Sequence, residues 1–250
     1  MTKGYDFKII DETDDYAVVD KPPFLLAHPT KPDGPTTLWK QLRELFAFEI
    51  ANGGQVSIVN RLDRETSGLV LVAKNSGTAR RFGLAMQQQR IAKEYLAIVW
   101  GWPDWETKTV DAPLDRQGKH RQSAIWLKQA IHPDGARAVT DFSVERRFAR
   151  STTDNFALVR AKPKTGRTHQ IRVHLASLGH AIVGDKIYGP NERLYLEFIE
   201  TGWTPALDRQ LLLPRHALHS AKLALDNLEW TSELPRDLAD FCDASIVARP

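Results

Sequence analysis

Asn60-Arg61-Leu62-Asp63-Arg64-Glu65-Thr66-Ser67-Gly68-Leu69, running on into Val70-Leu71-Val72-Ala73, is the stretch on which the reading of this chain turns. It sets one carboxylate, Asp63, between two arginines, and a Thr-Ser-Gly turn leads from it into an apolar run. A charged residue flanked by opposite charges at a strand entrance points to chemistry more than to packing. The plain alternative is a surface salt bridge to Arg61 or Arg64, which contributes little to stability. The functional alternative is a carboxylate kept ionised by nearby arginines and available as nucleophile or base. Glu65 lies two residues on. In an extended segment it would share a face with Asp63, the paired-carboxylate pattern of a glycoside hydrolase.

Outward from this stretch, 250 residues suffice for one large domain or two small ones. At 42% hydrophobic and 26% charged the chain reads as an ordinary globular protein. Its one cysteine, Cys242, permits no internal disulfide, which fits a reducing compartment. Residues 1–15 are polar and acidic and lack the apolar core of a signal peptide. No apolar run approaches the ~20 residues of a membrane span. The net charge is only +3, but residues 66–93 and 155–184 carry Lys and Arg with no acid, as a face for a phosphate backbone would. A set of solvated helix faces would read the same way.

Tyr16–Asp20 is short and β-rich, and Lys21-Pro22-Pro23 stops it. Pro32–Pro35 is a loop. Thr36 or Thr37 caps a helix carrying Leu38, Leu42, Leu45 and Phe46, ended by Asn52-Gly53-Gly54. Leu69–Ala73 is a buried strand, Ser76 caps a helix through Gln89, and Glu94–Trp100 is a strand. Residues 107–148 read as short strands and loops, and Phe156–Ala161 as a strand. Lys164–Arg167 turns into a helix from about Thr168, with Gly179 at its end. Pro190–Pro214 reads as an insertion with one helix, Glu192–Glu200, followed by a final strand Leu218–Leu225 and a tail from Leu234. Strands and helices mix without regular βαβ alternation, so the fold class is α+β.

Tyr95 is either a core aromatic on its strand or a ring that stacks on a base. In Thr165–His174, a helix from Thr168 puts Ile171, Leu175 and Leu178 on its packed face and His169, Arg172 and Ala176 on another. Arg172 then points into a cleft or lies on the surface. His169 and His174 are five residues apart, about 140° around a helix, and cannot share an ion. His216 and His219 lack the rest of a ligand set. No glycine-rich nucleotide motif and no nucleophile elbow is present.

Together these stretches resemble one family, the RluA-type RNA pseudouridine synthases. Arg61-Leu62-Asp63-x-x-Thr66-Ser67-Gly68-Leu69 is similar to its catalytic motif, and Lys93-x-Tyr95-x-Ala97-x-Val99-x-Gly101 to its tyrosine motif. Gly166–Leu175 with Gly184-Asp185 and Tyr188-Gly189 resembles its third motif, Leu218-His219-Ser220 a late element, and Asp15–Pro23 with His28-Pro29 its first strand and loop. The matches keep the family's order from about residue 15 to 225.

The resemblance implies a mixed, mainly antiparallel central sheet with flanking helices and a central RNA-binding cleft. It implies isomerisation of uridine to pseudouridine in ribosomal or transfer RNA, with no cofactor and no metal. Asp63 is then the catalytic aspartate, Tyr95 stacks on the target uracil, and Arg172 pairs with Asp63. Arg61 reaches into the RNA, Leu218 lines the pocket, and Asn60, Thr66, Arg167 and His169 contact substrate. The chain is expected to be a cytoplasmic monomer with no membrane partner. It is expected to form one catalytic domain over residues 1–250, with its core at about 15–225 and an insertion at about 190–214, without the small N-terminal RNA-binding domain of many relatives.

One residue departs from the pattern. The family usually has His where this chain has Asn60, which hydrogen-bonds but does not titrate near neutral pH. Position 60 is therefore expected to hold the loop or touch RNA rather than act as an acid or base. The same departure leaves a non-catalytic RNA-binding or RNA-folding protein as the second reading, with the glycoside hydrolase third.

Overall fold

The computed structural model describes residues 4–31 and 33–243, so Pro32 of the expected loop and both chain ends lie outside the described residues. Two compact units emerge. One takes the chain up to Lys93 together with Ser220–Glu233, and the other takes Glu94–His219 together with the segment from Leu234.

The chain opens with strands β1 (Lys8–Glu12) and β2 (Tyr16–Lys21). Thr13 shapes the turn between them, its Oγ1 accepting the N–H groups of Asp15 and Tyr16 at 3.2 Å each. Helix α1 (Leu38–Leu45) starts at Thr37, whose side chain accepts from the Lys40 N–H. The expected single helix breaks at Phe46, and a short α2 (Ala47–Ala51) follows. After β3 (Ser57–Ile58) and β4 (Ser67–Ala73), helix α3 (Ser76–Gln87) is capped by Asn75 and not by Ser76. The Asn75 carboxamide reaches the Thr78 N–H at 2.8 Å, one residue earlier than composition suggested.

The second unit carries most of β5 (Ala92–Trp100), then β6 (Thr107–Asp111), β7 (Leu114–Arg116), β8 (Gln129–Ile131), β9 (Val139–Ala149) and β10 (Asn155–Pro163). The 11-residue β9 corrects the expectation of only short strands before residue 148. A bulge against β10 between Leu158 and Val159, together with the run Glu145-Arg146-Arg147, hides its alternation. Helix α4 spans Gln170–Ser177. The insertion holds two helices rather than one, α5 (Arg193–Thr201) and α6 (Pro205–Leu211). The missed α6 has a readable start, with Thr204 as cap and Pro205 in its first turn. Leu194, Leu207 and Leu211 form its own small core, with Phe198 and Trp203 packed against it.

β11 (Leu218–Leu225) turns through Asp226, at φ 53°, into a further strand β12 (Leu228–Thr231). The expected tail forms helix α7 (Arg236–Asp243), fastened to its unit by the fully buried Arg215, whose guanidinium meets Asp237 at 2.7 and 2.9 Å.

In the first unit the antiparallel order β1-β2-β4 continues to β11, with β12 pairing β11 and β3 pairing β4. β4 is buried along its whole length, which explains its unbroken apolar sequence. Leu69, Leu71 and Ala73 pack with Tyr16, Phe82, Ala85, Leu223 and Trp230. In the second unit β10 lies between β5 and β9, β6 pairs β9, and all three pairings are antiparallel. β7 and β8 form a separate antiparallel hairpin. The α+β class read from the sequence is what the strands and helices form.

Candidate active site

In the first unit the Asp63 loop hangs on β4. Gly68 begins this attachment at φ 108°, and any Cβ there would run into the backbone of Ser220. Asn60 is buried, and its carboxamide grips β4 at two points. Its Nδ2 donates to the Leu69 carbonyl at 3.0 Å, and its Oδ1 accepts the Leu71 N–H at 2.7 Å. Of its two expected uses, the geometry supports holding the loop.

Lys21 secures the other side. Its side chain is fully buried, and Nζ donates to the carbonyls of Pro22 (2.8 Å), Leu25 (2.9 Å) and Arg64 (3.2 Å). From the sequence, Lys21 reads only as the end of a strand. A lysine directly after an apolar strand and before two prolines was the available signal.

Between these anchors, Leu62 and Thr66 are buried and Asp63 is half-buried. The Thr66 N–H bonds the Asp63 carbonyl at 3.2 Å, which closes a turn over Asp63–Thr66. The segment is therefore not extended, and the shared face that suggested an Asp63–Glu65 carboxylate pair is absent. The arginines that flank Asp63 in sequence are both exposed. Arg64 donates from Nε to the Phe24 carbonyl at 3.4 Å. Arg61 lies near enough to His28 to add to the burial that lowers the imidazole's pKa.

In the second unit, α4 starts two residues later than expected. His169 precedes it in a left-handed conformation, φ 57°, so it does not share a helical face with Arg172. Its Nδ1 instead meets the Tyr188 hydroxyl at 2.8 Å. The turn before the helix is fixed by Gln170. Its Oε1 accepts from Thr165 Oγ1 (2.7 Å) and the Arg167 N–H (3.0 Å), and its Nε2 donates to the Val139 carbonyl and Thr140 Oγ1, both at 2.9 Å. His174 is buried with both ring nitrogens engaged, by Thr140 Oγ1 and the Ala112 carbonyl, each at 3.0 Å. Burial lowers its pKa. Arg167 is exposed, with Nε on the Arg137 carbonyl at 3.0 Å.

Arg172 is no surface arginine, for it is only 5% exposed. Its Nε and Nη2 form a fork on Asp185, at 2.6 Å to Oδ2 and 2.9 Å to Oδ1. Burial alone would raise the Asp185 pKa. The Arg172 charge and hydrogen bond, the nearby His216 and the Tyr188 N–H outweigh it and hold the carboxyl well below the usual range. Asp185 Oδ1 also accepts the N–H groups of Ile187 (2.9 Å) and Tyr188 (3.0 Å), and the Tyr188 ring lies 5.1 Å from the Arg172 guanidinium carbon. Asp185 and Tyr188 stand in the third sequence motif with no role legible from the sequence. Their spacing from Arg172 is non-local, so only the fold reveals the pairing. Tyr95 is buried on β5 opposite Ala161 of β10, and Leu218 is buried at the start of β11.

The two acid-free runs do not form unbroken positive faces. Lys74 is buried between Glu12 and Glu49, and Arg90 pairs with Asp226. Arg160 pairs with Glu94 and Glu145, Lys162 with Glu94, and Lys164 with Asp141. Strands remote in sequence bring in acids that the runs themselves lack.

A family model described as RNA pseudouridylate synthase matches residues 15–177. Ribosomal large subunit pseudouridine synthase D of Nitrosomonas europaea is 35% identical, over 97% of this chain and 68% of its own length. The protein of the same name from Pseudomonas aeruginosa is 34% identical, over 95% of this chain and 71% of its own length. Among solved structures, human RNA Pseudouridylate Synthase Domain Containing 4 superposes with a TM-score of 0.72 at 24% identity, covering 95% of this chain and 92% of that one, a likeness of fold alone. Human RNA Pseudouridylate Synthase Domain Containing 1 superposes with a TM-score of 0.65 at 26% identity, covering 100% of this chain and 99% of that one.

Proposed function

The chain belongs to the RNA pseudouridylate synthase family, isomerases acting on RNA, and from that premise we propose how its residues divide the work. Asp63 is the catalytic carboxylate. The observation that carries this assignment is its presentation: a half-buried acid on a turn whose flanks are clamped by Asn60 and Lys21. Such clamping holds a reacting group in place before substrate arrives, which is where orientation lowers a barrier.

The reaction breaks the bond from uracil N1 to ribose C1′ and forms one from C5 to C1′. Asp63 either attacks C1′, with uracil leaving as the anion, or removes the 2′ proton to give a glycal. In both routes uracil turns and C5 bonds to C1′, displacing the Asp63 carboxylate from C1′ in the first route and returning the 2′ proton to C2′ in the second; the C5 proton is then lost and N1 gains one, so the product is an isomer of the substrate. Tyr95 stacks on the uracil, and Arg172, kept in place by Asp185, supports the ionised carboxylate. Arg61, Thr66, Arg167, His169 and Leu218 contact the RNA or line the pocket. The target nucleotide must leave its stack, so unstacking is offset by aromatic contact and phosphate neutralisation.

The favoured substrate is large-subunit ribosomal RNA, supported by the names of the relatives. Transfer RNA is the other expectation. The protein acts as a monomer in the cytoplasm, as one catalytic domain with its core at about residues 15–225, and the family match runs through both units. No helix among the described residues is long and apolar enough to cross a membrane. The non-catalytic reading rested on Asn60, and a loop clamp needs no titrating group.

RNA tritiated at uracil C5 tests the proposal. The protein should release tritium and Asp63→Asn should release none. Continued release from Asp63→Asn would refute the role of Asp63. Chemical mapping of pseudouridine in RNA from a deletion strain identifies the target, and a missing site in transfer RNA would overturn the ribosomal preference.

A further inference from the structure

Residues 116–133 contain Arg116, Lys119, Arg121, Lys128, His120 and His132 and no acid. They link and include parts of β7 and β8. Lys119 pairs with Asp115 and Lys128 with Glu192, but Arg116 and Arg121 form no ion pair among the described residues. Arg121 bonds Gln117 Oε1 at 2.8 Å, and Arg116 lies over a ring, its guanidinium carbon 3.6 Å from the centroid of Trp126.

Trp126 is 74% exposed. Its backbone is nonetheless held firmly. The Lys128 N–H bonds the Ile125 carbonyl at 3.1 Å, closing a turn around Trp126 and Leu127, and Ile125 is buried. Ser123 Oγ reaches the Ile125 N–H and carbonyl at 3.3 and 3.0 Å, and the Gln117 N–H bonds the Lys128 carbonyl at 2.8 Å. An indole fixed in water, with an arginine on one face and the other face open, contributes little to folding. It has the features of a stacking platform for a base.

The hairpin is also tied to the Arg172 assembly. The Gln129 N–H of β8 donates to the Tyr188 hydroxyl at 2.8 Å, the same hydroxyl that His169 meets, and the Tyr188 ring borders Arg172. We propose that the β7–β8 hairpin is an RNA-gripping arm of this protein: an unpaired base stacks on the open face of Trp126, and Arg116 and Arg121 neutralise the adjoining phosphates. This rests on the RNA-modifying function and adds a part of the chain that grips the substrate.

The test uses the full chain and three variants, Trp126→Phe, Trp126→Ala and Asp63→Asn. Titration with a short unstructured single-stranded RNA should quench a tryptophan signal that Trp126→Phe lacks. One stacked base is worth about 1–3 kcal/mol, so Trp126→Ala should raise Kd for a large-subunit ribosomal RNA transcript roughly 5- to 150-fold, with KM for tritium release rising in step and kcat falling much less. Trp126→Phe, which keeps a ring, should recover most of the affinity. Unchanged circular dichroism of Trp126→Ala is expected, since the side chain is exposed. Kd within about twofold of the parent and no Trp126-dependent quench would overturn the arm, and would do so even with catalysis intact. Asp63→Asn separates the two ideas. It should keep the quench while losing turnover, whereas turnover that survives it refutes the catalytic assignment and leaves the quench to decide the arm.

Discussion

Replacing Asn60 tests whether the clamp on β4 is real. Asn60→Ala removes both of its bonds: the Leu71 N–H loses the acceptor that Asn60 supplied, and the Leu69 carbonyl keeps the longer bond from Ser220 Oγ at 3.3 Å. A buried group left unsatisfied costs about 1–3 kcal/mol, so a loss of roughly that size is expected. Asn60→Asp is more diagnostic. One carboxylate oxygen can still accept from Leu71, but the other meets the Leu69 carbonyl, acceptor against acceptor. A buried carboxylate in that position should have its pKa raised well above the ~3.9 of an unfolded aspartate. Such a group stabilises the folded state fully below the unfolded value and loses that contribution as pH rises through the folded value. The protonated acid can donate to Leu69 as the amide does. Asn60→Asp should therefore be near parental stability at about pH 4.5 and several kcal/mol weaker at about pH 7.5, measured as the difference from the parent in urea unfolding at each pH. A variant equally destabilised at both pH values, or Asn60→Ala costing less than about 0.5 kcal/mol, would refute the clamp.

Arg172→Met should cost about 3–5 kcal/mol, because it leaves Asp185 buried without its cation. Parental Asp185, with its depressed pKa, contributes stability above the unfolded value that is lost as pH falls. In the variant unopposed burial raises that pKa, so the penalty should grow from about pH 4 to pH 7, and a pH-independent penalty in urea titrations would contradict the pairing. Lys21→Met should lower stability by about 1–3 kcal/mol, since three carbonyls, that of Leu25 buried, lose a charged donor, and tritium release should fall at temperatures where the variant is still folded. Full kcat there would remove Lys21 from the support of the Asp63 loop. His174 is held neutral by burial, so the unfolded chain takes up the proton first and the parent should lose stability as pH falls below about 6.5. His174→Gln should flatten that slope between about pH 5 and 6.5, and an unaltered slope would assign the titration elsewhere.

Much of the fold was legible because it is local. Thr37 capping α1, the unbroken apolar run of β4 and Gly179 after α4 follow from backbone and side-chain preferences within a few residues. The misses were also local in cause. The Phe46 break, the β9 bulge and the short α6 disrupt periodicity, and α7 follows a Pro-containing segment that reads as a tail.

The site was legible as a set of residue types in order, which the sequence carries directly: an acid before a Thr-Ser-Gly turn, a tyrosine on a strand, an arginine in a helix. Its supports were not. Asn60 reads as a departure until its carboxamide is seen on β4, and Arg172 reads as facing a cleft or the surface until Asp185 is seen against it. The two basic runs read as positive faces until neighbouring strands supply Glu12, Glu94, Glu145 and Asp141. Sequence alone carried the motifs and the family they belong to, because motif order is a property of the chain. The tertiary structure decided which charges are neutralised and which groups are held rigid, because hydrogen bonds and burial depend on partners that folding brings from far along the chain.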